Sequence, residues 1–87
     1  MHEASLIANL LRKITAIAHE QQASKVVGVH VSLGALSHIS PDHLREHFVH
    51  AAHGTVADGA QLDIAVHTEP SDPLAQEVWL DSIEVED

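Results

Sequence analysis

The strongest constraint on the fold is a run of alternating side chains between Lys25 and Leu33. A two-residue period is typical of a β-strand with one buried face. The positions predicted to face the core are Val27, Val29, Val31 and Leu33, and those predicted to face away are Val26, Gly28, His30 and Ser32. Gly34 is expected to end the strand as a turn residue. The chain must therefore build a sheet and cover one side of it.

Two segments have the apolar spacing of amphipathic helices and could supply that cover. The first is predicted from Ala4 to about Gln22, and the second from Pro41 to about His53. Ser40 suits the N-cap of the second helix, proline suits its first position, and Gly54 is the expected stop. The apolar stripe of the first helix is Leu6, Leu10, Ile14 and Ile17, widened by Ile7, Leu11 and Ala18. The apolar arc of the second is Leu44, Phe48, Ala51 and Ala52.

Two further strands complete the prediction. Residues 60–66 follow an Asp58-Gly59 turn and alternate, with Leu62, Ile64 and Val66 inward. Residues 77–86 also resemble a strand, but their apolar positions change phase, and a β-bulge near Asp81-Ser82 would restore it. Pro70 and Pro73 indicate an irregular connector between these strands. We expect a single α+β domain, residues 1–87, of order α-β-α-β-β, with a three-stranded mixed sheet and both helices on one face.

The net charge and the composition of the chain argue against some classes of binding partner. Thirteen acidic residues against four basic ones give a formal net charge of −9, with histidines counted as neutral. This charge argues against binding to nucleic acid or to an anionic membrane surface. No apolar run approaches the ~18 residues of a membrane span, and no signal peptide is evident, so a cytoplasmic protein is expected. The nine histidines are the unusual feature, compatible with metal affinity or with neutral surface polarity.

The first three residues, Met1, His2 and Glu3, form a candidate metal site. The α-amine of Met1, the backbone nitrogen of His2 and Nδ1 of the His2 imidazole can bind one ion through a five-membered and a six-membered ring. The backbone nitrogen of Glu3 can complete a plane. Such a nitrogen set favours Ni(II) or Cu(II) over zinc, which prefers a tetrahedron. The alternative for His2 is an ordinary exposed imidazole.

Four blocks of the sequence add to the evidence from the first three residues. In chain order they are MHEASL (1–6), VHVSLGALS (29–37), GTVADGAQLDI (54–64) and IEVE (83–86). Together they resemble the HypA/HybF family, the nickel-incorporation proteins of NiFe-hydrogenase maturation. The resemblance implies that His2 supplies the essential imidazole for transiently bound Ni(II), which is then delivered. It implies a maturation GTPase and the hydrogenase large subunit as partners. It gives Glu3 a role in orienting the site or contacting a partner, beside compensating the helix dipole.

One feature of that family is absent. Its members normally carry two Cys-x-x-Cys pairs, a structural zinc module, between the second and last strands. Here residues 67–77 occupy that place, and the chain has no cysteine, so no zinc site of the cysteine type is expected. The chain is interpreted as a HypA-like nickel-binding domain with a short connector. An alternative is an adaptor without nickel that binds the GTPase or another HypA-like chain, including self-association.

Other histidines are candidates for weaker sites. His43, His47 and His50 lie at i, i+4 and i+7 on the second predicted helix, and two histidines four residues apart can bind a transition metal. The alternatives for this row are an exposed polar flank and a metal buffer with several weak sites. His38, in the loop after the first strand, is a further candidate ligand, and its ordinary role would be a solvated loop residue. Without a nucleophile elbow or phosphate-binding glycine loop, the chain is not expected to be an enzyme.

Overall fold

A computed structural model describes the backbone of residues 3–86 and the side chains of residues 4–86. The elements are α1 (Glu3–Glu20), β1 (Lys25–Leu33), α2 (Pro41–Ala52), β2 (Gln61–Val66) and β3 (Val78–Glu86). Their order is the predicted one. Helix α1 ends two residues before the predicted boundary because Gln22 adopts a left-handed conformation, with φ of 54°. The amide of Ala23 then closes the helix end by donating to the carbonyl of Ala18.

The sheet has the order β2-β1-β3 and is mixed, as predicted. Strand β1 pairs parallel with β2, and it pairs antiparallel with β3. Ile14 of α1, Phe48 of α2 and Val29 of β1 belong to one buried cluster, so both helices pack against the same face of the sheet. The small α+β architecture is therefore confirmed. Neither described helix combines the length and the apolarity needed to cross a membrane.

The prediction for the first half of β1 was wrong at Val27. This residue was expected to face the core, but it is 38% exposed, whereas its neighbour Val26 is fully buried. The pairing of β1 with β3 shifts between Val26 and Gly28, which makes Val27 an extra residue on its strand. A bulge of this kind reverses the alternation locally, so Val26 and not Val27 points to the helices.

The bulge predicted in β3 is confirmed. His30 pairs with Ser82 and the next residue, Val31, pairs with Leu80, so Asp81 is the unpaired residue between them. Two other inward predictions were wrong. Val66 is 55% exposed because it is the last residue of an edge strand, and Ala51 is exposed on the solvent side of α2.

The topology brings the starts of both helices to one end of the sheet. Strands β1 and β2 are parallel, and a helix precedes each of them through a short connection. Each helix therefore runs back along the sheet and begins near the end where β1 and β2 finish. The loop 34–40, which links β1 to α2, lies at this same end.

Candidate metal centre

An open cleft of about 510 Å³ lies where α1 begins. Leu6, in the first turn of α1, lines one side, residues 36–39 line another, and residues 76–78 close the third. The predicted chelate at Met1 and His2, and the side chain of Glu3, lie outside the described residues. Their metal geometry stays a prediction. The structure does describe the cleft beside the first turn of α1, the helix that begins at Glu3.

His38 lines this cleft and is exposed to solvent. Its backbone is left-handed, with φ of 59°, a conformation that few residues other than glycine adopt and in which histidine is relatively enriched. The first turn of α1 and the loop histidine predicted as a further ligand therefore line the same cleft. A strained backbone at a cleft is also a common property of functional loops.

The connector between β2 and β3 forms the wall opposite His38. The Gly34 amide donates to the carbonyl of Glu77 at 2.8 Å, and the Leu36 amide donates to the carbonyl of Ala75 at 2.6 Å. A Cβ atom at Gly34 would collide with the backbone carbonyl of Ala75. Gly34 was predicted only as a turn residue, but close backbone approach dictates its identity. The sequence around Gly34 does not reveal this contact, because it depends on how the connector packs against the loop.

The connector also has hydrogen bonds of its own, although its path is irregular as predicted. Ser71 donates to the Glu69 carboxylate through its backbone amide at 3.0 Å and its hydroxyl at 2.8 Å. These bonds, chiefly the backbone one, lower the pKa of Glu69. The carboxylate of Asp72 likewise accepts from the amide of Leu74 at 2.8 Å. Residues 67–77 therefore form an ordered series of turns.

On α2 the structure brings His43 and His47 together. Their ring centres are 5.9 Å apart in an edge-to-face arrangement, and both residues are exposed. The backbone amide of His43 donates to the hydroxyl of the N-cap, Ser40, at 3.1 Å. His50, the third member of the predicted row, is exposed near the end of the same helix.

Three or more metal-binding side chains do not converge anywhere within residues 4–86. This statement covers histidine, aspartate and glutamate, since the chain has no cysteine. Within that part of the chain, the candidate ligands are the loop residue His38 and the pair on α2.

Sequence reasoning missed a polar cluster on the face of the sheet opposite the helices. His30 lies between two carboxylates, with Nδ1 at 3.3 Å from Asp63 and Nε2 at 3.0 Å from Glu84. The two carboxylates occupy opposite sides of the imidazole ring, so they join three strands and do not converge on one ion. Alternation predicted that His30 faces outward, but its partners follow only from the register of all three strands.

A second polar group on that face shows what Asp81, the unpaired residue of the β3 bulge, contacts. Asp81 accepts from the hydroxyl of buried Ser32 at 2.6 Å and from the indole nitrogen of Trp79 at 2.9 Å. The ring of His67 lies on Trp79, with centres 5.1 Å apart. The bulge thus aims one carboxylate at two donors, one of which would otherwise be buried without a partner.

The sequence pattern of the family described as "Hydrogenase/urease nickel incorporation, metallochaperone, hypA" matches residues 1–70. The chain belongs to the HypA family. The hydrogenase maturation factor HypA of Archaeoglobus fulgidus is 41% identical over 66 residues, which cover 76% of this chain and 60% of that protein. HypA of Rhizobium leguminosarum bv. viciae is 39% identical over 64 residues, covering 74% and 57%. The chain thus spans about 60% of the length of the curated relatives it matches.

The fold is also that of solved HypA structures. A solution structure of the nickel metallochaperone HypA from Helicobacter pylori superposes with a TM-score of 0.82, at 21% identity, over 98% of this chain and 97% of that one. A second HypA solution structure gives a TM-score of 0.78 at 22% identity. The family pattern stops at residue 70, before β3, whereas the structural match covers nearly the whole chain. Strand β3 is therefore part of the shared fold.

Proposed function

We propose that this HypA family member binds nickel at its first residues and delivers it during NiFe-hydrogenase maturation. The observation that carries this proposal is the family match, which begins at residue 1 and so includes the Met1-His2-Glu3 tripeptide. The names of the relatives, hydrogenase maturation factors, support the same biological role. The proposed role is binding and hand-over, without catalysis.

The proposed ligands are four nitrogens in a plane. They are the α-amine of Met1, the backbone nitrogens of His2 and Glu3, and Nδ1 of the His2 imidazole. This set suits Ni(II) because a square plane of nitrogens is a geometry that Ni(II) accepts and zinc does not favour. We propose His38 as a further ligand or positioning residue, since it lines the cleft beside the first turn of α1.

Release of the metal follows from the position of the site at a helix end. The first amides of any α-helix lack intrahelical partners, and helix ends open at little free-energy cost. The buried anchors of α1, beginning at Ile7, lie beyond the chelating residues. Fraying of the terminus can therefore dismantle the nickel site while the core stays folded, which a delivery protein requires.

The proposed partners are a maturation GTPase, as nickel donor or co-chaperone, and the hydrogenase large subunit, as recipient, both in the cytoplasm. Glu3 is proposed to orient the site or to contact one of these partners. A second HypA-like chain is an additional proposed partner. The formal charge of −9 makes nucleic acid an unsuitable one.

Complementation of a strain that lacks its own HypA tests the proposal. The chain should restore hydrogenase activity and nickel content of the large subunit, and His2→Ala should abolish both at an unchanged protein level. His19→Ala is the matched control, because it removes another exposed histidine at the far end of α1. Full activity with His2→Ala would refute nickel delivery and would support the adaptor, in which docking alone matters.

A further inference from the structure

We infer that the first turns of α2 carry a second site for a divalent transition metal, formed by His43 and His47. The two residues are four apart, so they lie one above the other on a single helix face. Their imidazoles are exposed, and their ring centres are 5.9 Å apart. Its two ligands are not residues of the tripeptide, and its existence does not depend on the proposed function.

The distance between the rings suits a shared ion after a small adjustment. Metal–nitrogen bonds of about 2.0–2.1 Å place the centres of two imidazoles on one ion roughly 4.5–5.2 Å apart. The observed ring centres are therefore about 0.7–1.4 Å farther apart than that spacing, a difference that rotation of the exposed side chains can supply. No backbone movement is needed.

The backbone under the pair is held firmly. Leu44 is fully buried and Phe48 is 1% exposed, so the core fixes the rotation of α2 about its axis. The Ser40 cap bonds directly to the amide of His43. The two histidines are thus presented from a fixed framework, which lowers the entropy lost when they bind one ion.

Local charge decides whether a cation is accepted so near the start of a helix. The positive end of the α2 dipole opposes it. Asp42 and Glu46 each precede one histidine of the pair, whereas the one cation between them, Arg45, donates to the carbonyl of Leu62 on β2. With a formal charge of −9 on the chain, the field of the side chains favours a cation.

The chemistry of the pair defines its ligand class. Neutral imidazole suits nickel, copper and zinc. Within residues 4–86 no third metal-binding side chain converges on the pair, so these residues supply two ligands and we expect water at the other positions. With nickel this gives a weak, high-spin, largely hydrated site, unlike the planar chelate proposed for the terminus. A role in holding nickel near the terminus, at the end where both helices begin, rests on the proposed function.

The test uses protein with one glycine added before Met1, which destroys the terminal chelate and leaves α2 intact. Ni(II) is titrated by calorimetry and by histidine ring NMR. The extended protein should bind about one weak equivalent of nickel, with paramagnetic broadening centred on His43 and His47. In that background, His43→Ala/His47→Ala should weaken binding at least about tenfold, because both ligands are lost.

His19→Ala/His53→Ala is the matched control, since it removes two exposed histidines, one near the end of α1 and one just after α2, that are not in the proposed site. It should change the affinity by no more than about twofold, because the proposed ligands remain. Thermal melts check that all variants are folded. Equal nickel binding by the two double variants, or no binding by the extended protein, would overturn the α2 site. Failure of the terminal chelate would appear separately, as the absence of a diamagnetic complex in protein without the added glycine.

Discussion

The surroundings of each histidine say more about its role than the high histidine content of the chain does. The eight histidines within residues 4–86 have different surroundings. His30 joins two carboxylates across three strands, His67 lies on Trp79, and His43 meets His47 on α2. The spacing of His43 and His47 could be read from the sequence because a helix fixes i to i+4 neighbours. The partners of His30 and His67 could not, because they come from strands distant in sequence.

Single substitutions should change the stability of the fold and the binding of nickel independently. Leu10 is 3% exposed in the aliphatic core, so Leu10→Ala should lower the free energy of unfolding by about 2–5 kcal/mol. His2→Ala should change it by less than about 0.5 kcal/mol and should remove tight nickel binding. Urea unfolding of the two variants measures the first quantity. A large loss of stability in His2→Ala would contradict a core that is independent of the metal.

Nickel binding should weaken as the pH falls. The amine, the backbone amides and the imidazole of the proposed chelate must all give up protons to bind, so protons compete with the metal. Titrations at a series of pH values should show affinity rising with pH and protons released on binding. Binding that is independent of pH would exclude the terminal nitrogens as ligands.

At the scale of elements, local signals predicted most of the fold. Ser40 and Pro41 begin α2 as expected, and the phase change in 77–86 located the bulge at Asp81. Val27 was misassigned because valines occupy both faces there and conceal the extra residue. Only the register with β3 shows it. Ile64, expected to be inward, is only partly buried, since β2 is an edge strand.

The contact between the connector and loop 34–40 gives a prediction of its own. Gly34→Ala should destabilise the protein by about 1–3 kcal/mol, because the new methyl group would collide with backbone carbonyls that cannot move aside. Gly28→Ala is the matched control: its methyl group would mainly meet the end of the Glu84 side chain, which is exposed and flexible. Thermal unfolding of the pair measures the difference. Equal stability of the two variants would show that the connector does not hold the loop.

At the scale of the whole molecule, the chain combines a HypA fold with an ordered connector between β2 and β3, and it contains no cysteine. Its matched segment covers about 60% of the length of the curated relatives, yet a solved HypA structure superposes on nearly all of the chain. The sequence predicted the family and the architecture because the matching blocks cover parts of all three strands and the turns next to β1 and β2. The nickel ligands stay a prediction, because Met1 and His2 lie outside the described residues.

The terminal chelate is the central claim, and moving the α-amine tests it most directly. Nickel is added to protein whose first residue is an unblocked Met1, and to the same protein with one glycine before it. The first should form a tight, yellow, diamagnetic complex, because four nitrogens in a plane give low-spin nickel. The second should lose it, although His2, the fold and the net charge are nearly unchanged. A diamagnetic complex of equal affinity in both proteins would contradict the account.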